Sequence, residues 1–353
     1  MQKLIFDAHL DMAWNALEWN RDLMKPVTAI REFEGQFELP KGPNTTSWHA
    51  LRKGRVGVTI STLLPRLNRK DAELTHFQSR EAAYGACHGQ LAYYRAMCER
   101  GALRELPDLR SLNEHVAAWE TDETGELPIG FILSMEGSPS ILHPEQIHEW
   151  YEQGLRILGP AHYGPGPYCF GTGSEGGLTA EGPALLKAMD SAGMLLDATH
   201  LADQSFWEAL EIFPGPVLAS HHNCRSLVPG DRQLTDEQIR ALIERGAVIG
   251  ASFDNWMIVP DWKIGVSDPK SVTLEMLVDH TDHICQLAGN THHCGIGSDL
   301  DGGFGKEQSP ADLDTIADLQ TFVAILERRG YSAEDMERIA YRNFVDFFRR
   351  AWS

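Results

Sequence analysis

The sequence has few cysteines, no long apolar run and little positive charge, and each shortage argues against a class of protein. Six cysteines are scattered over 353 residues without a C-x-x-C pair, so we expect reduced thiols rather than a disulfide framework. No window approaches the ~18 uninterrupted apolar residues of a membrane helix. Lys and Arg number 31 against 50 Asp and Glu, a net charge of −19. This acidic balance predicts no nucleic-acid partner and no membrane partner.

The first residues also lack a secretory signal. Lys3 is followed by only three apolar residues before Asp7, far short of the ~7–15 apolar residues of a signal peptide. The last residues, 347–350, do not form a lipid-anchor tail. Apolar residues make up 42% of the chain, which is ordinary for a globular protein and too many for a disordered one. We therefore expect a cytoplasmic globular protein.

Eight short runs rich in Val, Ile and Leu are typical of strands buried on both faces of a parallel sheet. They cover Leu4–Ala8, Val56–Leu64, Ile129–Ser134, Leu155–Pro160, Met194–Ala198, Pro216–Ser220, Ala247–Ser252 and Cys294–Gly297. Helical patterns lie between most of them, the clearest over 71–100, 179–192, 235–245 and 332–350.

Strands alternating with helices predict an α/β fold, a (β/α)₈ TIM-like barrel, with an open doubly wound sheet as the alternative. No linker or repeat divides the chain, so residues 1–353 are expected to form a single catalytic barrel domain. Residues 12–50 fit neither a strand nor a helix well and are expected to form a long loop excursion over the first strand.

His, Asp or Glu residues, the types that bind metals, follow five of the eight predicted strands, namely the first, third, fifth, sixth and eighth. His9 and Asp11 follow the first run, and both can face one ion because residues two apart along a strand point to the same side. The third run leads to Glu136, where an unpaired buried carboxylate would be costly. His200 follows the fifth run and His221 ends the sixth. Three imidazoles and two carboxylates at one rim of a barrel suit Zn²⁺.

Five ligands are one too many for a closed tetrahedral site and fit two ions that share a carboxylate. Glu136 lies between the two pairs of ligands in chain order, so we expect it to bridge the ions. Two ions ~3.5–4 Å apart can hold a bridging hydroxide and polarise a carbonyl together. The predicted cofactors are therefore two Zn²⁺ ions.

Other histidines are predicted to lie away from this site. His292 and His293 precede the eighth run and belong at the opposite end of the barrel. His280 and His283 fall on a predicted helix. His222 adjoins His221, but strand alternation turns its side chain away.

Several motifs with these residues occur in a fixed order along the chain. They include His9-Leu10-Asp11, Met135-Glu136-Gly137, Gly154-Leu155-Arg156, Asp197-Ala198-Thr199-His200, Ser220-His221, Arg232…Asp236 and Gly297-Ser298-Asp299-Leu300-Asp301-Gly302. With them the sequence resembles the renal (membrane) dipeptidase family of zinc metallopeptidases over nearly its whole length. The resemblance implies a barrel of the metal-dependent amidohydrolase type, a two-zinc centre and hydrolysis of free dipeptides, the small-molecule partner that we expect.

The resemblance also implies a role for each matching residue. The five metal-binding candidates match the family's zinc ligands, with Glu136 as the bridge. His162 matches the histidine that approaches the scissile carbonyl oxygen. Arg232 matches the arginine that binds the substrate's terminal carboxylate. Asp299 matches the acid/base aspartate near the substrate amine, and Asp301, which shares the motif, stays an alternative.

Three departures from the family pattern bear on substrate preference rather than on the metal set. The segment Pro160-Ala161-His162-Tyr163 replaces a Thr-His-Asn or Thr-His-Ser motif, His222 stands where small polar residues are usual, and Gln233 replaces an asparagine after Arg232. Without anchoring signals, the chain is similar to soluble bacterial-type members. That group is associated with dipeptides whose second residue has the D configuration.

Other functions stay open beside the dipeptidase. The same metals could serve hydrolysis of another small amide, such as an N-acyl amino acid or a β-lactam. A metal-binding accessory protein without turnover would be favoured by loss of a ligand or of Arg232, and neither is lost. A phosphotriesterase-like lactonase typically uses H-x-H and a modified lysine, which the H-x-D pattern and Glu136 disfavour. The sequence leaves a homodimer open.

Overall fold

Parallel strands form the centre of the protein. The computed structural model describes residues 2–37, 42–66, 77–122 and 124–353. The strands in these residues are β1 (Ile5–Leu10), β2 (Val56–Leu63), β3 (Leu103–Glu105), β4 (Ile129–Glu136), β5 (Ile157–Gly159), β6 (Leu195–Asp197), β7 (Val217–Leu218), β8 (Ile249–Ala251) and β9 (Cys294–Ile296). All eight predicted strands are among them.

Eight of the strands form a barrel in the order β7-β6-β5-β4-β2-β1-β9-β8, and every pair is parallel. A parallel bridge between Ala219 and Ile249 joins β7 to β8 and completes the ring. The backbones come very close at this point. A Cβ on Gly250 would lie 2.0 Å from the carbonyl oxygen of Ser220, and one on Gly297 would lie 1.8 Å from it. Glycine is therefore required at both positions, and the predicted (β/α)₈ barrel is confirmed.

Fourteen α-helices occur in the described residues, and most lie between consecutive strands. They are α1 (Met12–Glu18), α2 (Val27–Glu34), α3 (Trp48–Lys53), α4 (Arg80–Glu99), α5 (Leu109–Thr121), α6 (Ile147–Glu152), α7 (Gly182–Ala192), α8 (Asp203–Ile212), α9 (Asp236–Glu244), α10 (Asn255–Ile258), α11 (Leu274–Ala288), α12 (Leu319–Arg328), α13 (Ala333–Glu337) and α14 (Asn343–Ala351). Short 3₁₀ turns cover Pro144–Gln146, Pro269–Ser271, Lys306–Gln308 and Ile316–Asp318.

The predicted helices begin and end close to the observed ones. Thr235 accepts a hydrogen bond from the backbone N–H of Gln238 and forms the capping box of α9. The predicted last helix is divided, because a π-helical turn at Arg338–Arg342 separates α13 from α14. Of the predicted helix over 71–100, residues 71–76 lie outside the described residues, and α4 begins at Arg80 after its cap Ser79.

Two features differ from the expectations. Strand β3 was not predicted, and it pairs with β4 outside the ring. The segment 12–50 was expected to be a loop excursion, but its described part contains α1 and α2 and the start of α3. These helices are six to eight residues long, which is too short for a sequence period to stand out. Residues 38–41 of the segment lie outside the described residues.

None of the described helices combines the length and the apolar character that crossing a membrane requires.

Candidate metal centre and active site

The five predicted ligands meet at the carboxyl end of the barrel. His9 lies at the end of β1 and Asp11 directly follows it, Glu136 is the last residue of β4, and His200 and His221 follow β6 and β7. All five side chains are buried. Parallel strands bring their carboxyl ends to the same rim of a barrel, so residues far apart in the chain come within contact distance.

The Glu136 carboxylate lies at the centre of the group. Its Oε1 is 3.1 Å from Nε2 of His200 and 3.3 Å from Nε2 of His221. Its Oε2 is 3.8 Å from Nε2 of His9, which is in turn 3.7 Å from Oδ2 of Asp11. The two carboxylate oxygens thus face two different sets of ligands, as a carboxylate that bridges two ions would.

Several candidate ligand atoms lack hydrogen bonds to one another and are suited to metal ions. Nε2 of His9, Nε2 of His221 and Oδ1 of Asp11 are buried and have no hydrogen-bond partner among the described residues. A buried polar atom without a partner is costly and rare. Imidazole nitrogens and carboxylate oxygens are the donors that Zn²⁺ prefers in hydrolytic sites. The donor set therefore fits divalent metal ions.

Hydroxyl groups behind two of the histidines fix their orientation. Nδ1 of His200 lies 3.0 Å from Oγ1 of Thr172, and Nδ1 of His221 lies 2.9 Å from Oγ of Ser220. Such contacts at the second ring nitrogen direct Nε2 toward a metal. Since Ser220 precedes His221 in the chain, the β7 end supplies both the ligand and its support.

Two buried aspartates hold the ends of neighbouring strands together below the site. Oδ1 of Asp7 accepts hydrogen bonds from the backbone N–H groups of Ser298 at 2.8 Å and of His9 at 3.3 Å. Oδ1 of Asp197 accepts from the backbone N–H groups of Thr199 and Ser220, both at 3.0 Å. Each carboxylate thereby aligns a pair of strand ends that present site residues.

The backbone at the site adopts a conformation that most residues avoid. His200, Asp299 and Asp301 have φ values of 67°, 57° and 66°. Left-handed backbone is unfavourable for residues with a Cβ, least so for Asp and Asn. Strained residues of this kind concentrate at functional sites.

Mutual electrostatics shift the protonation of the site residues. Burial lowers the pKa of His9, but the carboxylates of Glu136 and Asp11 outweigh it and raise the pKa to about 10. Burial, with the Arg232 charge, lowers the pKa of His200 to about 4. Burial raises the pKa of Asp299 well above its ordinary value, and the carboxylates of Asp11 and Glu136 add to it.

Of the two aspartates in the last motif, only Asp299 faces the ligands. Its Oδ1 lies 3.8 Å from Nε2 of His9 and its Oδ2 lies 4.0 Å from Nε2 of His221. Asp301 is buried among donors from the 44–46 segment: the side chain of Asn44 at 2.7 Å, the backbone N–H of Thr45 at 2.9 Å and that of Thr46 at 3.0 Å. Asp301 therefore anchors this segment to the barrel.

His162 and Arg232 lie beside the ligands. Nε2 of His162 is 3.8 Å from Oε2 of Glu136, and burial lowers its pKa well below the ordinary value. Arg232 is 2% exposed; its Nη2 donates to the carbonyl oxygen of His221 at 3.1 Å. Its buried Nη1 donates to no acceptor among the described residues. A buried guanidinium with a free donor is suited to a carboxylate ligand.

A small cleft opens over these residues. Glu136, His162, His200, Arg232 and Asp299 contribute to its walls.

The family of the chain follows from a match over its whole length. Residues 1–352 match the family described as membrane dipeptidase, peptidase family M19. The chain belongs to this family. It is a hydrolase, a dipeptidase of the metallopeptidase kind.

Two dipeptidases and the solved structure of a metallo peptidase are similar to the chain. Dipeptidase verJ of Clonostachys rogersoniana is 27% identical over 306 residues, 85% of this chain and 74% of that protein. Dipeptidase tcpJ of Claviceps purpurea is 29% identical over 204 residues, 57% of this chain but only 45% of that protein. A metallo peptidase from Rhodobacter sphaeroides, liganded with a phosphinate mimic of L-Ala-D-Ala, shares the fold at a TM-score of 0.81, with 20% identity and complete coverage of both chains.

Sequence reasoning missed part of the cleft wall of this dipeptidase. Arg66, Tyr163, Asp254 and Trp256 also line the cleft. The signal is present in the sequence, because Arg66, Tyr163 and Asp254 follow β2, β5 and β8, three strands whose ends supply no predicted metal ligand. Every strand of the ring therefore brings a residue to the site.

Proposed function

We propose that the protein is a two-zinc dipeptidase that hydrolyses free dipeptides. The observation that carries the proposal is the arrangement of one buried carboxylate, Glu136, among two sets of ligands, with the free Nη1 of Arg232 in the same cleft. The candidate ligands would form a metal centre for hydrolysis. The guanidinium would bind the free carboxylate of a substrate.

Each set of ligands would hold one ion. His9 and Asp11 would bind the first, His200 and His221 the second, and Glu136 would bind both. When bound, such ions lower the pKa of water and polarise a carbonyl group. The unpartnered Nε2 of His9 and Oδ1 of Asp11 support this assignment.

The remaining residues would orient the substrate and move its protons. Arg232 would hold the terminal carboxylate with two parallel hydrogen bonds, a geometry that a lysine cannot supply. His162 would approach the oxygen of the scissile carbonyl and stabilise the charge that develops there. Asp299 would carry a proton to the leaving amine, a role that its raised pKa supports.

A residue of D configuration at the second position of the dipeptide is part of the proposal. The support is the phosphinate mimic of L-Ala-D-Ala carried by the Rhodobacter sphaeroides relative. The L or D form of that residue decides the direction in which its side chain leaves the backbone, so the two diastereomers would meet different walls of the cleft.

A substrate screen with metal analysis tests the proposal. Protein loaded with zinc is expected to hold two ions per chain and to release amino acids from L-L or L-D dipeptides, and chelation should abolish this activity. Hydrolysis of N-acyl amino acids or β-lactams with no dipeptide turnover would move the assignment to another small amide. One ion per chain would overturn the bridging role of Glu136.

We also propose a cytoplasmic location, which the six free cysteines support, because reducing compartments keep thiols unpaired. Fractionation of cells that produce the protein tests this. The homodimer stays a prediction, for which light scattering of the purified protein gives the mass.

A further inference from the structure

A carboxylate that no predicted role explains lies in the wall of the cleft. Asp254 follows β8 and is 6% exposed, and its side chain faces the same space as Arg232 and Asp299. A buried carboxylate is costly unless its charge is paired, so the position of Asp254 calls for a charge partner.

Neutral groups hold this carboxylate in place. Nε2 of Gln308 donates to Oδ1 at 2.7 Å, and the indole Nε1 of Trp256 donates to Oδ2 at 2.7 Å. The backbone N–H of Trp256 makes a longer contact of 3.4 Å with Oδ1. A carboxylate has about four acceptor positions, so capacity remains on the cleft side. Neither neighbour neutralises the negative charge.

The electrostatic surroundings of Asp254 favour a cationic ligand. Burial raises its pKa to about 7, although the hydrogen bonds from Gln308 and Trp256 and the more distant charge of Arg232 lower it. A cationic ligand within contact distance would favour the ionised form.

An aromatic neighbour of Asp254 also suits a cation. Trp256 and Met257 line the cleft next to the carboxylate. An aromatic face attracts a cation electrostatically. Because Trp256 also donates to Asp254, the ring and the carboxylate are fixed relative to each other.

The position of Asp254 relative to Arg232 determines which residue of the dipeptide would lie beside Asp254. This step rests on the proposed function, in which Arg232 binds the terminal carboxylate. Nε2 of Gln233, the residue after Arg232, donates to the carbonyl oxygen of Met257 at 2.8 Å, so the segment that carries Asp254 lies beside Arg232. The wall formed by Asp254, Trp256 and Met257 therefore lies on the side of the C-terminal residue.

We propose that this wall is a specificity site that selects dipeptides with a cationic side chain, lysine or arginine, at the C-terminal position. The ammonium or guanidinium group would contact the Asp254 carboxylate beside Trp256.

The test compares two dipeptides that differ only in the charge. The zinc-loaded protein is given Ala-Lys and Ala-norleucine, each in the L-L and L-D forms, and the better form of each is compared. We expect kcat/KM to be at least ~10-fold higher for the lysine dipeptide, because a charge-assisted hydrogen bond forms with a buried carboxylate. The Asp254→Asn variant should reduce this ratio to about one.

A matched control removes a charge from the neighbouring loop. Asp261 is exposed, has a φ of 60° that asparagine accepts, and does not line the cleft. Asp261→Asn should keep the ratio of the unchanged protein.

Binding of ketomethylene analogues of the two dipeptides, measured by calorimetry, separates this inference from the proposed function. Tighter binding of the lysine analogue without hydrolysis of any dipeptide would support the specificity site and overturn the dipeptidase assignment. Hydrolysis of both dipeptides at equal rates, with equal binding of the analogues, would overturn the specificity site alone.

An equal loss of rate on both dipeptides in Asp254→Asn would also overturn the specificity site, since Asp254 would then act by positioning Arg232. If this variant does not fold, the comparison of the two dipeptides with the unchanged protein decides by itself.

Discussion

His9 and His221, at the carboxyl end of the barrel, differ from three histidines elsewhere in what their ring nitrogens contact. Nε2 of His9 and Nε2 of His221 face carboxylates without forming a hydrogen bond. Away from the site, Nε2 of His115 lies 2.9 Å from the carbonyl oxygen of Gly57, and Nε2 of His280 lies 3.0 Å from that of Ile258. Nδ1 of His293 is likewise 2.9 Å from the carbonyl oxygen of Ala247.

The difference shows that burial alone does not identify a functional histidine. His115 and His280 are as buried as His9, but backbone groups satisfy them and they stabilise packing. Nε2 of His9 and of His221 instead faces acidic neighbours without a hydrogen bond, an arrangement that a metal cation between them would stabilise. The following predictions test this contrast, and the largest effect comes first.

Removing the charge of Glu136 should destroy the metal centre. Glu136→Gln takes one anionic ligand from both sets, so we expect the metal content to fall from two ions toward none and activity to fall by at least ~10³-fold. Elemental analysis and dipeptide hydrolysis measure the two effects. Glu145→Gln, at an exposed position, is the control and should retain both ions. Two retained ions in Glu136→Gln would contradict the bridging role.

Neutralising Asp299 should separate proton transfer from metal binding. Asp299→Asn is expected to keep both ions and to lower kcat by ~10²–10⁴-fold, the usual contribution of a general acid or base. Asp301→Asn should instead lower stability by about 2–4 kcal/mol, because the buried carboxylate pairs with Arg21, at 3.4 Å, and binds the 44–46 segment. Thermal unfolding and kcat are measured on both variants. Asp299→Asn should mainly lower kcat, and Asp301→Asn should mainly lower the stability. A larger loss of kcat in Asp301→Asn would reverse the assignment.

Truncating Arg232 should remove the preference for a free carboxylate. The unchanged protein should hydrolyse a dipeptide at least ~10-fold better, in kcat/KM, than its C-terminal amide, and Arg232→Ala should bring the two rates together. Arg225→Ala, which breaks an ion pair with Asp203 on a more exposed surface, should leave the preference in place. Equal rates on acid and amide in the unchanged protein would favour a general small-amide hydrolase.

Acidic pH should destabilise the fold because it favours protonation of His115, which is buried away from the site. Burial lowers the pKa of His115 to about 4, below the ~6.5 of an unfolded chain. The unfolded state therefore binds more protons between these values, and stability falls as the pH decreases from about 6.5 to 4. The expected loss from His115 is about 2 kcal/mol between pH 7 and 5. Urea unfolding at both pH values should show a smaller loss in His115→Gln, and an unchanged loss would exclude His115 as its source.

The barrel could be predicted because its strands are buried on both faces and form continuous apolar runs. The sequence does not predict strand β3, because Arg104 and Glu105 make up two of its three residues and leave no apolar run. The clustering of the candidate ligands could be predicted because strand ends meet at one rim. Asp299 and Asp301 could not be separated by alternation, because both have left-handed backbone. Arg232 lies eleven residues after His221, so only the family resemblance pointed to it.

The left-handed backbone of His200 and Asp299 has a consequence for the evolution of the protein. Each such residue costs on the order of 1–2 kcal/mol relative to glycine, a large part of the net stability of a domain. A lineage that no longer needed hydrolysis could recover this stability by single substitutions to glycine. The two side chains thus lower the stability of the fold, a trade-off between stability and activity that is typical of functional sites.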